Sequence, residues 1–297
     1  MSARQVGLLG VPFNSSGTTD GVARAPAVLR AEGLVAALRA AGRVVDDRGD
    51  LALGPPSPER DRRSGIIAPD ALAAMIAAVR EAVEATLRGG AFPVVLGGDC
   101  PILLGCLGAP SLREPGLLFV DGHEDAWPPK ASPTGEAADM ELGLALGRHH
   151  DDLPVTLDGE VPRLDPRRIV VVGARDIAEI AEAGVESIDR LVEVIRPDAI
   201  SGAHAAELGA ETARRLGAQG PCWCHVDLDV LGTDALGSVD YRQPGGFDWA
   251  TLTALVRGAL GQRSVAGLTV TIYNPDLDPD RSDARRIIKF ITDVLAA

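Results

Sequence analysis

The sequence predicts a single-domain, three-layer α/β/α fold built on a mainly parallel β-sheet, and three observations carry that expectation. Apolar runs of strand length alternate with Ala/Leu-rich segments of helical period, in βαβα order nearly throughout. The 297 residues are 46% hydrophobic, enough to bury one large core. No internal repeat or interdomain linker interrupts the chain, so residues 1–297 read as one domain.

In chain order, Val6–Val11 is a strand and Ala25–Ala41 a helix. The Pro- and Arg-rich stretch Gly54–Gly65 is a surface loop, followed by the helix Ala71–Arg88 and the strand Phe92–Leu96. The strand Gly116–Val120 runs into a long loop, Asp125–Glu136, and then the helix Ala138–Leu146. After the strand Ile169–Gly173 and the helix Ala203–Leu216 comes the strand Cys222–Val230, with a second long loop at Gly232–Gly246. The helix Trp249–Leu260, the strand Val265–Ile272 and the helix Ser282–Leu295 complete the pattern, and several helices are closed by a glycine just beyond the last turn. Loops at the carboxyl ends of parallel strands are where such sheets place their sites.

The formal net charge of −13 and the lack of a Lys/Arg cluster argue against a nucleic-acid or anionic-membrane partner and suit a small cationic substrate better. The opening Met-Ser-Ala-Arg-Gln and the short run Val6–Val11 lack a long apolar leader region, and no apolar stretch reaches membrane-spanning length, so a cytoplasmic protein is expected. Cys100, Cys106, Cys222 and Cys224 are too few for a disulfide scaffold and are expected as free thiols. The glycine-rich stretches match neither a dinucleotide nor a phosphate fingerprint.

Two acidic runs carry the chemistry. Asp121, His123 and Asp125 follow the strand Gly116–Val120, and the two-residue period of extended chain puts them on one side. His225, Asp227 and Asp229 form a like set at the end of another strand. A single Asp-x-Asp would read as strand-end acids in solvent. Two such runs brought together repel strongly unless a cation neutralises them, and oxygen donors with an imidazole suit Mn²⁺, with Zn²⁺, Fe²⁺ or Ni²⁺ as alternatives, one or two per chain.

The sequence resembles the arginase, agmatinase and formiminoglutamase group of ureohydrolases over most of its length. Gly21-Val22 with Pro26 and Leu29-Arg30 is similar to the family's N-terminal segment, Gly97-Gly98-Asp99-Cys100 to its Gly-Gly-Asp-His, and Asp121 to Asp125 to its Asp-Ala-His-x-Asp. Gly173-Ala174-Arg175-Asp176, Asp227-Leu228-Asp229 and Asn274-Pro275 follow in the family's order. The resemblance implies an arginase-like fold and two metals: Asp121 and Asp227 bridging, His123 and Asp229 completing one position, Asp125 and Cys100 the other. It further implies hydrolysis of a C–N bond in a small guanidino, amidino or formimino compound by metal-activated water, with Asp125 orienting that water. Homotrimers or homohexamers are also implied.

The resemblance breaks at four places. Cys100 stands where the family has a histidine ligand, and a thiolate favours Zn or Fe over Mn; the residue can ligate, leave that metal weakly held, or be an inert thiol. Ile272 stands where the family's glutamate pairs with the guanidinium, Ala138 near its proton-shuttle histidine, and Ala178 near the acid that contacts the substrate amino group. Free arginine is therefore not the expected substrate. Glu136 and His225 are the candidates for relay roles beside Asp125, and Trp127, Asp139 and Tyr241 for walling the substrate pocket, with Asp240 and Trp249 in reserve. Each has a plainer reading as a solvated acid, a satisfied strand histidine or an aromatic packed under a loop. A non-catalytic protein that keeps the fold for ligand sensing or assembly is the alternative function. A Cys100 nucleophile is opposed by the surrounding acids, which raise a thiol's pKa.

Overall fold

The computed structural model describes residues 5–200 and 202–296; residues 1–4, which carry the expected absence of a leader, lie outside the described residues. Among the described residues, eight strands form one sheet: β1 Val6–Val11, β2 Val45–Asp50, β3 Phe92–Gly97, β4 Gly116–Val120, β5 Ile169–Val172, β6 Glu193–Ile195, β7 Cys222–Asp227 and β8 Val265–Thr271. Their order is β2-β1-β3-β8-β7-β4-β5-β6, and every pairing is parallel.

The α-helices of the described residues are α1 Ala25–Ala31, α2 Leu34–Ala40, α3 Pro69–Arg88, α4 Ile102–Leu107, α5 Glu141–Ala145, α6 Val155–Asp158, α7 Ile177–Glu182, α8 Gly202–Leu216, α9 Trp249–Leu260 and α10 Ser282–Leu295. The strands alternate their side chains between two cores. Val6, Leu8, Leu118, Val120, Cys224 and Val226 pack beneath α1, α2, α8, α9 and α10, whereas Leu9, Val11, Leu117, Phe119 and Trp223 pack beneath α3, α4, α5 and α6. That is the three-layer α/β/α arrangement the sequence predicted. Among the described residues, no helix is long and apolar enough to cross a membrane.

The departures from expectation have local causes. β2 and β6 were not expected, because they are edge strands: β2 buries little beyond Val45 and carries Asp46, Asp47, Arg48 and Asp50. A strand with one side in solvent needs no apolar run, and charge on an edge discourages pairing with another chain. The expected helix Ala25–Ala41 is two helices, broken at Gly33, whose φ of 97° no helix accommodates. The expected strand Cys222–Val230 stops at Asp227, and Leu228–Val230 is a 3-10 turn. The expected helix Ala138–Leu146 is a 3-10 turn, Ala137–Asp139, followed by α5.

Candidate metal centre

The two acidic runs sit at the carboxyl ends of adjacent strands, β4 and β7, which pair in register from Gly116 to Val120. The alternating pleat expected to align their side chains does not extend through either run. Each first aspartate instead folds the chain back on itself: Asp121 Oδ1 accepts the His123 N–H at 2.7 Å, and Asp227 Oδ1 accepts the Asp229 N–H at 2.6 Å. Short polar side chains make such turns readily because the carboxylate replaces a backbone acceptor two residues away. The turns bring His123 Nδ1 to 2.9 Å from Asp229 Oδ2. They also pack so closely that the Gly122 N–H reaches Asp229 Oδ1 at 3.1 Å, and a Cβ on Gly122 would come within 2.5 Å of Arg175 Nη1 and 2.8 Å of that oxygen.

Asp121, Asp125, Asp227 and Asp229 are all buried. Burial pushes the Asp121, Asp125 and Asp227 carboxyls well above the usual range, and the neighbouring carboxylates push them further. Burial would do the same to Asp229, but the His123 charge and hydrogen bond hold its pKa below the ordinary value. Burial works against a charge on His123, yet Asp229 outweighs it and raises the imidazole pKa to about 9. Asp121 Oδ2 has no hydrogen-bond partner among the described residues. A buried carboxylate left so is costly unless a cation faces it, and the oxygen-rich donor set fits a divalent metal ion.

Cys100 follows β3, wholly buried, with Sγ 2.8 Å from Asp227 Oδ2 and 2.9 Å from Thr271 Oγ1. Burial raises its thiol pKa well above the ordinary value and the surrounding carboxylates raise it further, with Asp227 the foremost of them. A nucleophilic thiolate is not supported there. His225, expected as a relay residue, is wholly buried behind the acids, stacked on Phe119 with ring centroids 5.0 Å apart, its Nδ1 2.8 Å from Thr269 Oγ1. Burial lowers its pKa to about 3. It does not line the cleft, so a proton exchange with substrate is not open to it.

The cleft above the acids has a volume of about 350 Å³, with His123, Asp125, Asp227 and Asp229 on its floor. Its walls include Trp127, Glu136, Asp139 and Tyr241, all expected there, together with Ala138 and Ile272. The Tyr241 hydroxyl donates to Glu136 Oε2 at 3.0 Å, and Asp139 Oδ2 accepts from Ser132 Oγ at 2.6 Å and Thr134 Oγ1 at 2.9 Å. Ile272 has φ of 72°, a left-handed conformation that is an outlier for a β-branched side chain. Asp240, also on the wall, accepts from Asn274 Nδ2 at 2.5 Å, whereas Trp249 donates to the Ala235 carbonyl and packs on Phe290, away from the cleft.

Two acids were not expected as site residues. Asp176 lines the cleft, its pKa raised to about 6 by burial. Glu141, the first residue of α5, is wholly buried, and among the described residues neither carboxylate oxygen has a hydrogen-bond partner. A ligand atom of Glu141 lies within 4.8 Å of ligand atoms of Cys100, Asp121 and His225. The signal in the sequence was a lone acid in the run Met140-Glu141-Leu142-Gly143-Leu144, where a helix has no polar face to give it.

Residues 4–297 match the model of the Arginase family. The chain is 27% identical over 260 residues to an arginase of Bacillus caldovelox, covering 81% of this chain and 83% of that protein. It is 26% identical over 272 residues to the N(omega)-hydroxy-L-arginine amidinohydrolase of Streptomyces lavendulae, covering 90% and 92%. The crystal structure of the B. caldovelox arginase superposes with a TM-score of 0.83 at 22% identity, covering 99% of each chain.

Proposed function

Because this chain belongs to the arginase family, we propose that it is a metal-dependent hydrolase cleaving a C–N bond in a small guanidino, amidino or formimino compound other than free arginine. The observation that carries this reading is the convergence of His123, Asp125, Asp227 and Asp229 at one cleft floor with Asp121 buried among them, where carboxylates that repel one another need a cation. Asp121 and Asp227 would be shared by two metal positions, with His123 and Asp229 holding the outer ion and Asp125 and Cys100 the inner. Manganese suits the outer, oxygen-rich set. When bound, such ions supply a low-pKa water and polarise the amidino carbon's substituents.

The residues of the chain do the rest. Asp125, on the floor, orients the attacking water by accepting its hydrogen bond. Glu136, with its pKa raised by burial to about 7, is placed on the wall to carry a proton to the leaving nitrogen. Trp127 and Tyr241 exclude water around an apolar or planar substrate, and the acids Asp139, Asp176 and Asp240 favour a cationic end. Ile272 offers no charge-assisted hydrogen bond to a guanidinium, which turns the site away from arginine. The similarity to an N(omega)-hydroxy-L-arginine amidinohydrolase supports a modified guanidine among the candidates.

The test is urea, formamide or ammonia release from a panel of guanidino and formimino compounds by the manganese-loaded protein, with Asp125→Asn as control. Turnover of one compound well above arginine, lost in the variant, is expected. A protein holding its metal and releasing nothing from any of them would favour a sensing or structural role.

A further inference from the structure

Behind the cleft floor lies a set of donors that the outer metal position does not use. The His225 imidazole is held by two contacts: it stacks on Phe119 with an interplanar angle of 19°, and its Nδ1 meets Thr269 Oγ1 at 2.8 Å, a hydroxyl that Trp223 Nε1 fixes by donating to it at 3.2 Å. In the tautomer with Nδ1–H toward Thr269, the free electron pair sits on Nε2, which is buried with no hydrogen-bond partner among the described residues. His225 is gathered with Cys100, Asp121 and Glu141, one ligand atom from each lying within 4.8 Å of the others. Neither Asp121 nor Glu141 is ion-paired to His225 among the described residues.

Donor atoms within 4.8 Å of one another could close on a single ion, whose bonds of about 2.0–2.3 Å would hold them roughly 3–4 Å apart. Glu141 is wholly buried, and neither of its carboxylate oxygens has a hydrogen-bond partner among the described residues. A buried carboxylate left so is costly unless a cation faces it.

We propose that Glu141 and His225 join Cys100 and Asp121 at the inner metal position, beside Asp125 and Asp227, and that this sulfur-containing set takes zinc in preference to manganese. The inference rests on the metal-hydrolase reading of the cleft floor and extends it inward. Asp121 belongs to this group and equally to the group Asp121, His123 and Asp229, so it would be shared by two unlike positions. A thiolate and an imidazole among carboxylates form a mixed set that suits zinc, whereas the outer set without sulfur suits manganese. Thr269 acts through His225 by fixing its tautomer and is a positioning residue.

The test uses the purified chain stripped of metal and titrated with Co²⁺, a zinc surrogate whose thiolate bond absorbs in the near ultraviolet. Two cobalt ions per chain are expected, one of them producing the thiolate band, and Zn²⁺ should bleach that band while Mn²⁺ should not. Cys100→Ser should lose the band. Glu141→Gln and His225→Gln should weaken one of the two binding steps by more than about tenfold, the lower end of what losing even an outer partner costs, leaving the other step unchanged. A saturated wild-type protein with no thiolate band would overturn the inner site without recourse to any variant, as would an unchanged second binding step in a folded Glu141→Gln protein. Metal binding is read apart from turnover: a filled inner site without hydrolysis defeats the proposed function alone, and hydrolysis with an empty inner site defeats this inference alone.

Discussion

The Tyr241 hydroxyl donates a 3.0 Å hydrogen bond to Glu136 Oε2, joining the loop after β4 to the loop after β7 across the wall of the cleft. Burial raises the Glu136 pKa to about 7 from an ordinary 4.5, against the lowering effect of this bond. Between those two values the folded protein holds a proton that the unfolded chain has released, so folding stability falls as pH rises through that window. Glu136→Gln should therefore stabilise the protein at pH 8 relative to wild type by up to about 1 kcal/mol, the figure reduced for partial exposure, and have little effect at pH 4. Thermal melts at the two pH values check this; an equal difference at both would contradict it.

Asp227→Asn keeps the acceptor that turns the chain toward Asp229 but removes the charge shared by both metal positions. It should reduce bound metal to near zero in elemental analysis, while a full complement of metal would refute the ligand assignment.

Gly122→Ala should crowd the two turns that bring the acids together. The added methyl group meets Arg175 Nη1 at 2.5 Å and Asp229 Oδ1 at 2.8 Å. The guanidinium can move only by giving up its 2.7 Å bond to the Asp229 carbonyl. A loss of about 1–3 kcal/mol of stability is expected from the overpacking, together with weaker metal binding as Asp229 shifts. A melting temperature and metal affinity both within error of wild type would show that the two turns are looser than their geometry implies.

Ile272→Glu tests why arginine is not the favoured substrate. The position lines the cleft, and a charge-assisted hydrogen bond there is worth about 1.5–3 kcal/mol, or roughly 10- to 100-fold in kcat/KM for a guanidinium substrate. Urea release from arginine should rise by that order, and no gain in a metal-loaded variant would place the selectivity elsewhere on the wall.

Much of the architecture was legible in the sequence because interior parallel strands must be apolar on both faces. β1, β3, β4, β5, β7 and β8 show this in runs such as Ile169-Val170-Val171-Val172, all buried. The edge strands β2 and β6 do not, since only their inner margins need cover. The acidic runs were legible for the same reason: carboxylates directly after a buried strand have no solvent face to explain them.

The sequence by itself determined the sheet, the two acidic runs and the place of Cys100 where a histidine ligand would stand. Only the tertiary structure decided how those acids converge, because the pleat stops at Val120 and Asp227 and the turns made by the aspartates' own side chains set the geometry. It also decided the company of Cys100. Glu141 and His225 come from a helix and a strand with no local mark of shared purpose, and His225 looked like a candidate to face the substrate. Strand alternation names which residues share a face. It cannot say which side chain packed against that face will be left buried without a partner, and that depends on how distant segments of the chain meet.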